Sequence, residues 1–193
     1  MNYEKFIQSK VKSLAQSGFN ITIKELKEVF PFMFPFQAYI VHLAIKYGKY
    51  AIFADCGLGK TIMQLVWALL VTRCTGKSVF ILAPLAVSGQ TIAEGKRFGI
   101  KVWKYGLTDG WQDDMFDHYK SRIFITNYEQ LDKIDTSCFS GVVLDESSIL
   151  KNFDGKTKQL IIDKFKDTPY KLACTATPSP PDRDWETRSI NLI

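Results

Sequence analysis

The sequence lacks the residue patterns that mark several common classes of protein. Its 193 residues include two histidines and four cysteines, and no two of the cysteines form a C-x-x-C pair. Structural zinc sites need cysteine and histidine ligands at short, regular spacings, so the sequence offers no pattern for a zinc domain. Cysteines without a pairing pattern are typical of a reducing compartment, which favours the cytoplasm.

Long hydrophobic runs are also absent. The longest apolar stretch, TIMQLVWALLV at residues 61–71, is interrupted by Gln64 and is too short to span a bilayer. Residues 1–16, MNYEKFIQSKVKSLAQ, are charged and polar, unlike a secretory signal peptide. We therefore expect a cytoplasmic protein that has no membrane partner.

Charge of one sign is only mildly in excess. The formal net charge is +5, with 25 basic against 20 acidic residues. This balance permits a polyanionic partner such as nucleic acid but does not require one. Because 46% of the residues are hydrophobic, the chain can bury a large core, and its length favours one domain or one domain with a small appendage.

The pattern of apolar residues changes near Tyr50. Before it, helical spacing predicts helices at 3–16, at 22–29 and from Gln37 to about Gly48, and Thr22 with Glu25 predicts a capping box. After it, short apolar strands alternate with helices. We predict strands at 50–54, 78–83, 101–105, 122–127, 141–145 and 171–176, and helices at 60–73, 88–98, 110–119 and 156–165.

Continuous apolar strands joined by helices predict an α/β fold, with a mostly parallel sheet and helices on both of its faces. The expected division of the chain is a helical N-terminal extension at 1–34, the α/β domain at 35–178 and a short polar tail at 179–193.

A glycine-rich turn separates the first strand from the helix that follows it. Residues 54–61 read ADCGLGKT, which fits the phosphate-loop pattern G-x-x-x-x-G-K-[ST] except that Ala54 replaces the first glycine. Backbone N–H groups at such a turn face a phosphate, and the helix dipole adds positive charge. Lys60 could then reach the β- and γ-phosphates, and the Thr61 hydroxyl could hold Mg²⁺. The alternative is a chance glycine turn beside an exposed lysine.

Two acidic residues follow the apolar strand GVVL. The strand end would hold Asp145 beside the phosphate turn, because ligands bind at the carboxyl ends of parallel strands. Asp145 is a candidate ligand of Mg²⁺, and Glu146 is a candidate to activate an attacking water. The alternative is an acidic pair on a solvated surface.

The order of these motifs resembles the first RecA-like lobe of superfamily-two helicases and translocases, most closely the Snf-type ATPases, over about residues 33–178. The segments that carry the resemblance are PFQ at 35–37 (the adenine-reading glutamine), ADCGLGKT at 54–61 (the phosphate loop), APLAVSGQTIAEGKRF at 83–98 (motif Ia), ITNYEQL at 125–131 (motif Ib), LDESSILKN at 144–152 (motif II) and TATP at 175–178 (motif III). The Lys-Asn ending of motif II is the feature that favours the Snf type.

The resemblance implies an ATP hydrolase of helicase or translocase type that uses ATP and Mg²⁺. It assigns catalysis to Lys60, Asp145 and Glu146, and metal binding to Thr61 and Asp145. The implied nucleotide-binding residues are Gln37, Cys56, Gly57, Leu58, Gly59, Lys60, Thr61 and Ile62. The amide of Gln37 could pair with the N6 and N7 atoms of adenine, and the alternative is an exposed glutamine at a helix N-terminus.

The resemblance also implies contacts to the sugar–phosphate backbone of double-stranded DNA, with RNA as a second possibility. The residues implied are Pro84, Leu85, Ser88, Thr126, Asn127 and Tyr128. Such contacts position a protein without reading sequence, and the alternative is that these residues form ordinary loops. Thr175 and Thr177 are the implied residues that couple nucleotide and nucleic-acid binding.

The sequence departs from the family pattern in motif II, where DESS places Ser148 at the position of a frequent histidine, and in motif Ia, where Thr91 replaces a usual aromatic. The compact layout resembles proteins of phage genomes.

In the resembled family, ATP lies between two RecA-like lobes, and the second lobe supplies arginines to the γ-phosphate. Only residues 179–193 follow motif III, so we expect that this chain needs a second lobe, in cis or in trans, for efficient hydrolysis. The alternative function is a module that binds nucleotide, nucleic acid or a partner lobe without hydrolysis. A small-molecule kinase is a third class, but the sequence shows no arginine-bearing lid segment.

Overall fold

A computed structural model describes residues 16–105, 122–147 and 155–176 of the chain. The strands are β1 (Lys49–Phe53), β2 (Ser78–Ala83), β3 (Val102–Lys104), β4 (Ile123–Asn127), β5 (Phe139–Leu144) and β6 (Tyr170–Thr175). The helices are α1 (Ile23–Val29), α2 (Pro35–Tyr47), α3 (Lys60–Thr75), α4 (Leu85–Arg97) and α5 (Gly155–Phe165), and a 3-10 helix spans Tyr128–Lys133.

The strands form one six-stranded sheet in the order β1-β6-β5-β2-β4-β3. Every neighbouring pair is parallel, which confirms the predicted parallel sheet. The carboxyl ends of the strands therefore lie along one edge of the sheet. At this edge the loop after β1 and the loop after β5 are separated by the end of β6 alone, so residues that follow the three strands can meet.

Helices cover both faces of the sheet. Consecutive strand residues point to opposite faces, and both sets are therefore buried. Along β2, Val79, Ile81 and Ala83 join a larger core with α2 and α3, whereas Phe80 and Leu82 join a smaller one. The larger core contains the fully buried Trp67 of α3. The smaller core is rich in aromatic rings, including Phe80, Phe139, Phe165 and Phe124.

Local sequence signals set the helix ends as expected. The N–H of Glu25 donates to Thr22 Oγ1 at 3.2 Å, and the N–H of Thr22 donates to Glu25 Oε2 at 2.7 Å, which confirms the capping box of α1. Helix α2 begins at Pro35, earlier than predicted, because a proline at the first helical position loses no hydrogen bond. Helix α4 begins at Leu85 instead of residue 88, directly after the extended Pro84.

Several predicted features lie outside the described residues. They are most of the helix at 3–16, the helix at 110–119, Ser148, the Lys-Asn ending of motif II, Thr177 and the tail at 179–193. Across the three described ranges, no helix has the length and apolar character needed to cross a membrane. The four cysteines are all free, and Cys174 is the buried one among them, since Cys56 and Cys74 are exposed and Cys138 is half-buried.

Candidate nucleotide-binding site

The loop between β1 and α3 has the backbone conformation of a phosphate-binding turn. Gly57 and Gly59 have φ angles of 83° and 76°, in the left-handed region that favours glycine. A Cβ atom on Gly57 would meet nothing within 4 Å, whereas one on Gly59 would clash with Nε2 of Gln37. Gly57 thus leaves open space over the loop, and Gly59 permits a close approach of two elements.

Ala54 explains why the first glycine of the usual pattern is not needed here. Among the residues that the structure describes, Glu146 is the non-glycine residue with a positive φ, so Ala54 has an ordinary backbone conformation. Its N–H donates to the carbonyl of Thr175 at 3.2 Å, which continues the pairing of β1 with β6. The departure at Ala54 therefore leaves the loop geometry intact.

Lys60 lies in the first turn of α3 and points back into the loop. Its Nζ donates to the carbonyl oxygens of Ala54 at 2.9 Å and Asp55 at 3.3 Å. The helix has 16 residues, and its N-cap residue is Gly59, so no side chain caps its first N–H groups. The N-terminal turn thus combines a lysine ammonium, free backbone donors and the positive end of the helix dipole, which is the chemistry that binds phosphate.

Gln37 connects helix α2 to the phosphate loop. Its Oε1 accepts a hydrogen bond from the N–H of Phe34 at 2.9 Å, and its Nε2 donates to the carbonyl of Leu58 at 3.0 Å. The side chain is only 4% exposed, so the alternative of an exposed surface glutamine is wrong. Beside it, the exposed rings of Phe34 and Phe36 stack nearly parallel, with centroids 6.1 Å apart.

Asp145 lies directly after β5 and is 4% exposed. Its Oδ1 accepts hydrogen bonds from Gln64 Nε2 at 2.6 Å and from the N–H of Glu146 at 3.1 Å. The pKa of the Asp145 carboxyl is raised, mainly by burial and also by the charge of Glu146. The hydrogen bond from Gln64 and the charge of Lys60 oppose this shift. The structure therefore rejects the alternative of a solvated acidic pair, because one member is buried and bonded to the helix that begins at Lys60.

Glu146 has a strained backbone. Its φ of 50° lies in the left-handed region, which is unfavourable for a residue with a side chain. This backbone conformation costs about 1–3 kcal/mol and persists only where the surrounding structure imposes it. Strained residues of this kind cluster at functional sites. The strain turns Glu146 away from the line of β5 and leaves it partly exposed at the carboxyl edge of the sheet.

The donor set at this edge fits a magnesium–nucleotide complex better than a protein-enclosed metal. Within residues 16–105, 122–147 and 155–176, no group of three or more histidine, cysteine or acidic side chains could hold a metal by itself. Magnesium bound with a nucleotide needs only one or two protein oxygens, since phosphates and waters complete its shell. The Asp145 carboxylate and the Thr61 hydroxyl are hard oxygen donors of this kind, and the Thr61 hydroxyl is hydrogen-bonded to the Glu94 side chain.

The residues expected to contact nucleic acid fall into two groups. Leu85 is 63% exposed, and Pro84 and Asn127 are partly exposed. The side chains of Ser88, Thr126 and Tyr128 are 3 to 4% exposed, so a contact to nucleic acid at these positions would come from backbone groups and stays a prediction. The hydroxyl groups of Ser88 and Tyr128 are turned inward, toward backbone carbonyls of the protein.

Tyr128 shows the reason most clearly. Its hydroxyl donates to the backbone carbonyl of Asp145 at 2.7 Å, and burial raises the pKa of the phenol well above its usual value. Tyr128 is the first residue of the 3-10 helix that follows β4. Asn127 caps this helix, because its side-chain oxygen accepts from the N–H of Gln130 at 3.1 Å. Tyr128, which follows β4, thus holds the backbone of Asp145, the candidate metal ligand, in place.

Thr175, an expected coupling residue, is fully buried at the end of β6 between the phosphate loop and β5.

Sequence reasoning noted Gln64 only as an interruption of an apolar run. A stronger signal was present, because a lone polar residue one turn after Lys60 in a buried helix needs a buried partner.

Comparisons with known proteins agree with this geometry. A model of the DEAD/DEAH box helicase family matches residues 34–184, more than half of the chain, so the chain belongs to this family. A comparison with curated protein sequences found no match.

Solved helicase structures share the fold. The UvsW helicase from bacteriophage T4 aligns with a TM-score of 0.72 at 13% identity, over 97% of this chain and 73% of that one. The SWI2/SNF2 ATPase core from Sulfolobus solfataricus in complex with dsDNA gives 0.59 at 18%, over 86% and 35%. The DEAD-box helicase Mss116 bound to ssRNA and UDP-BeF gives 0.61 at 18%, over 91% and 44%.

The chain therefore spans well under half of the last two structures. At these identities the similarity establishes the fold, a RecA-like domain. Together with the family match, it defines the chain as the ATP-binding domain of a superfamily-two helicase.

Proposed function

We propose that this domain binds Mg-ATP at residues 54–61 and hydrolyses it, when joined by a second RecA-like lobe, to drive movement on nucleic acid. The observation that carries the proposal is the 2.6 Å hydrogen bond between Gln64 and Asp145. It joins the first turns of α3, which hold Lys60 and Thr61, to the strand end that holds Asp145 and Glu146.

The residues have separate roles in this proposal. Backbone N–H groups of Cys56, Gly57, Leu58 and Gly59 surround the phosphates, and the ammonium of Lys60 leaves its carbonyl partners to bind the β- and γ-phosphate oxygens. Magnesium, when bound, would supply positive charge that offsets the charge of the phosphates. Thr61 and Asp145 would hold it. Glu146 accepts a proton from the attacking water.

Adenine lies near Gln37 in this proposal. The amide of Gln37 uses one N–H on Leu58 and one lone pair on Phe34, so its second N–H and second lone pair remain to pair with the base. Ile62, which is 5% exposed, packs beneath the loop and supports it.

The second lobe is proposed because nothing among the described residues supplies an arginine to the open side of the γ-phosphate. Such an arginine is worth about 10³–10⁵ in turnover, or roughly 4–7 kcal/mol of barrier. The lobe can be contributed in cis or in trans. Thr175 and Thr177 would transmit the closure of the two lobes, since Thr175 pairs with the base of the phosphate loop.

Nucleic acid would contact the loops after β2 and β4, where Leu85 and Asn127 face solvent. We propose double-stranded DNA as the substrate, with RNA as the second candidate. The protein would contact the sugar–phosphate backbone through few basic side chains. The salt dependence of binding should therefore be shallow. The Lys-Asn ending of motif II supports a Snf-type assignment within the family, and cysteines without a pairing pattern support a protein of the cytoplasm.

The proposed organisation is an extension at 1–34, the RecA-like domain at 35–178 and a tail at 179–193. Within it, α1 and α2 pack on the face of the sheet that α3 covers, where Leu26 of α1 belongs to the same core as Trp67.

The test is titration of the purified chain with a fluorescent ATP analogue. Lys60→Ala should weaken binding by at least about 100-fold, because it removes the charge that faces the phosphates. Lys46→Ala, in the last turn of α2, is the matched control and should bind as wild type does. Unchanged affinity in Lys60→Ala would overturn the site, and binding without phosphate release in the presence of a matching second lobe would favour the non-hydrolysing module.

A further inference from the structure

Gln64 is a buried polar residue in an otherwise apolar stretch of α3. It is fully buried, and so are its helix neighbours Met63, Leu65, Val66 and Trp67. A glutamine amide in such surroundings is unfavourable unless it forms specific hydrogen bonds. Lys60 and Thr61 lie four and three residues earlier, so Gln64 shares their face of the helix.

The Gln64 side chain forms hydrogen bonds with two buried partners, the thiol of Cys174 and the carboxylate of Asp145, and the second bond is short and charge-assisted. Nε2 donates to Asp145 Oδ1 at 2.6 Å, across 81 positions of the chain. The other amide atom, Oε1, is buried without a hydrogen-bond partner. A side chain placed for stability would have its acceptor satisfied as well, so the amide is oriented by what it does for Asp145.

The hydrogen bonds to Asp145 are also asymmetric. Oδ1 accepts from Gln64 Nε2 and from the N–H of Glu146, whereas no described residue donates to Oδ2. The backbone of Asp145 is fixed in addition, since its N–H donates to the carbonyl of Leu82 at 2.8 Å and its carbonyl accepts from Tyr128. Only rotation of the carboxylate remains, and the two donors to Oδ1 determine it, Gln64 by the shorter bond and the N–H of Glu146 by the longer one.

We propose that Gln64 is a positioning residue for the metal-binding carboxylate. It anchors Oδ1, leaves Oδ2 for the metal, and links the rotation of Asp145 to the helix that begins at the phosphate loop. This inference rests on the proposed Mg-nucleotide site and adds to it a residue that acts on the metal through Asp145, without touching the nucleotide.

The test separates metal binding from phosphate binding. Affinity for a fluorescent ADP is measured in EDTA and across a magnesium titration for wild type, Gln64→Met and Gln159→Met. Methionine keeps the length of the side chain without the donor. Gln159 is the matched control, because its Nε2 donates to Asp163 at 2.9 Å in an exposed pair on α5.

In Gln64→Met, affinity in EDTA should stay within about twofold of wild type. The magnesium concentration that gives half of the metal-dependent gain should rise about 10-fold, the lower end of what loss of a residue behind a metal ligand costs. Gln159→Met should follow wild type in both measurements. A purely structural role would lower affinity in EDTA and in magnesium alike, and that result would overturn the inference, as would an unchanged magnesium profile.

A second variant covers the case in which Gln64→Met does not fold. Gln64→Leu removes the donor with a side chain that suits the apolar surroundings, so the magnesium requirement should rise as in Gln64→Met. A wild-type profile in Gln64→Leu would also overturn the inference. Failure of wild type to bind nucleotide with or without magnesium is a different result, which refutes the proposed function and the inference with it.

Discussion

The two ends of the parallel sheet treat their polar groups differently. At the amino end, the hydroxyl of Ser140 forms hydrogen bonds with Thr75 Oγ1 at 2.9 Å and the carbonyl of Ser78 at 3.3 Å, and Lys171 Nζ donates to the carbonyl of Lys166 at 3.1 Å. At the carboxyl end, Gln64 keeps an unpaired buried oxygen and Glu146 keeps a strained backbone.

The difference shows which end has been shaped for stability. Ser140 and Lys171 at the amino end find partners inside the protein, as buried polar groups generally do. At the carboxyl end, free energy of folding is given up to keep a carboxylate, a lysine and backbone N–H groups directed at one place. Substitutions at the carboxyl end should therefore change nucleotide binding or turnover, whereas those at the amino end should change stability alone.

The largest expected effect is on turnover. Glu146→Gln, assayed with a matching second lobe, should lower the rate of phosphate release by about 10²–10⁴-fold, because the amide cannot take a proton from water. Nucleotide affinity should be retained. Glu129→Gln, an exposed substitution in the nearby 3-10 helix, is the control. Wild-type turnover in Glu146→Gln would place the general base elsewhere.

A pair of glycines compares the two ends directly. Gly59 begins α3 at the carboxyl end and Gly76 follows it at the amino end, with φ angles of 76° and 66°. Gly76→Ala should cost about 1–2 kcal/mol in free energy of unfolding from backbone strain alone, since its Cβ meets nothing within 4 Å. Gly59→Ala should cost about 2–4 kcal/mol, because its Cβ also clashes with Gln37.

The measurements are denaturant unfolding and nucleotide titration of the two variants. Gly59→Ala should also weaken nucleotide binding, whereas Gly76→Ala should bind as wild type does. Equal losses of stability with wild-type nucleotide affinity in both variants would remove the distinction between the ends.

The smallest effect concerns Lys171, which is 3% exposed at the amino end. Its pKa is lowered from 10.5 to about 8, mainly by burial and also by the charge of Lys49, while Asp167 opposes the shift. Between these two values the unfolded chain binds more protons than the folded one, so the free energy of unfolding rises with pH.

Lys171→Met should remove that slope, which is at most about 1.4 kcal/mol per pH unit for one proton. The variant should be more stable than wild type at pH 7, and the gain should shrink as the pH rises from about 8 toward 10.5. Chemical unfolding at several pH values measures it, with the exposed Lys104→Met as control. An identical slope in Lys171→Met and wild type would contradict the shift.

Much of the fold could be predicted because its signals are local. The apolar run SVFILA gave the bounds of β2 without error, and Thr22 with Glu25 gave the start of α1, since capping and strand burial depend on neighbours in sequence. Errors of one to three residues, as at the start of α4, arose where an extended proline began the helix without a side-chain cap.

The candidate site was predicted less completely, because burial of a side chain depends on what packs over it. Ser88, Thr126 and Tyr128 looked like loop hydroxyls in the sequence, yet the sheet and the 3-10 helix enclose them. Gln37 was correctly placed at a helix start, but its bond to Leu58 across 21 positions could not be inferred from that location.

The sequence by itself determined the phosphate loop and the acidic strand end, because glycines with positive φ, a lysine and an Asp-Glu pair are required by chemistry that acts over a few residues. Only the tertiary structure decided that Gln64 and Tyr128 hold Asp145 from two sides. Those contacts exist because the order β1-β6-β5-β2-β4 brings strand ends together, and strand order is set by packing of the whole core, which no single segment encodes.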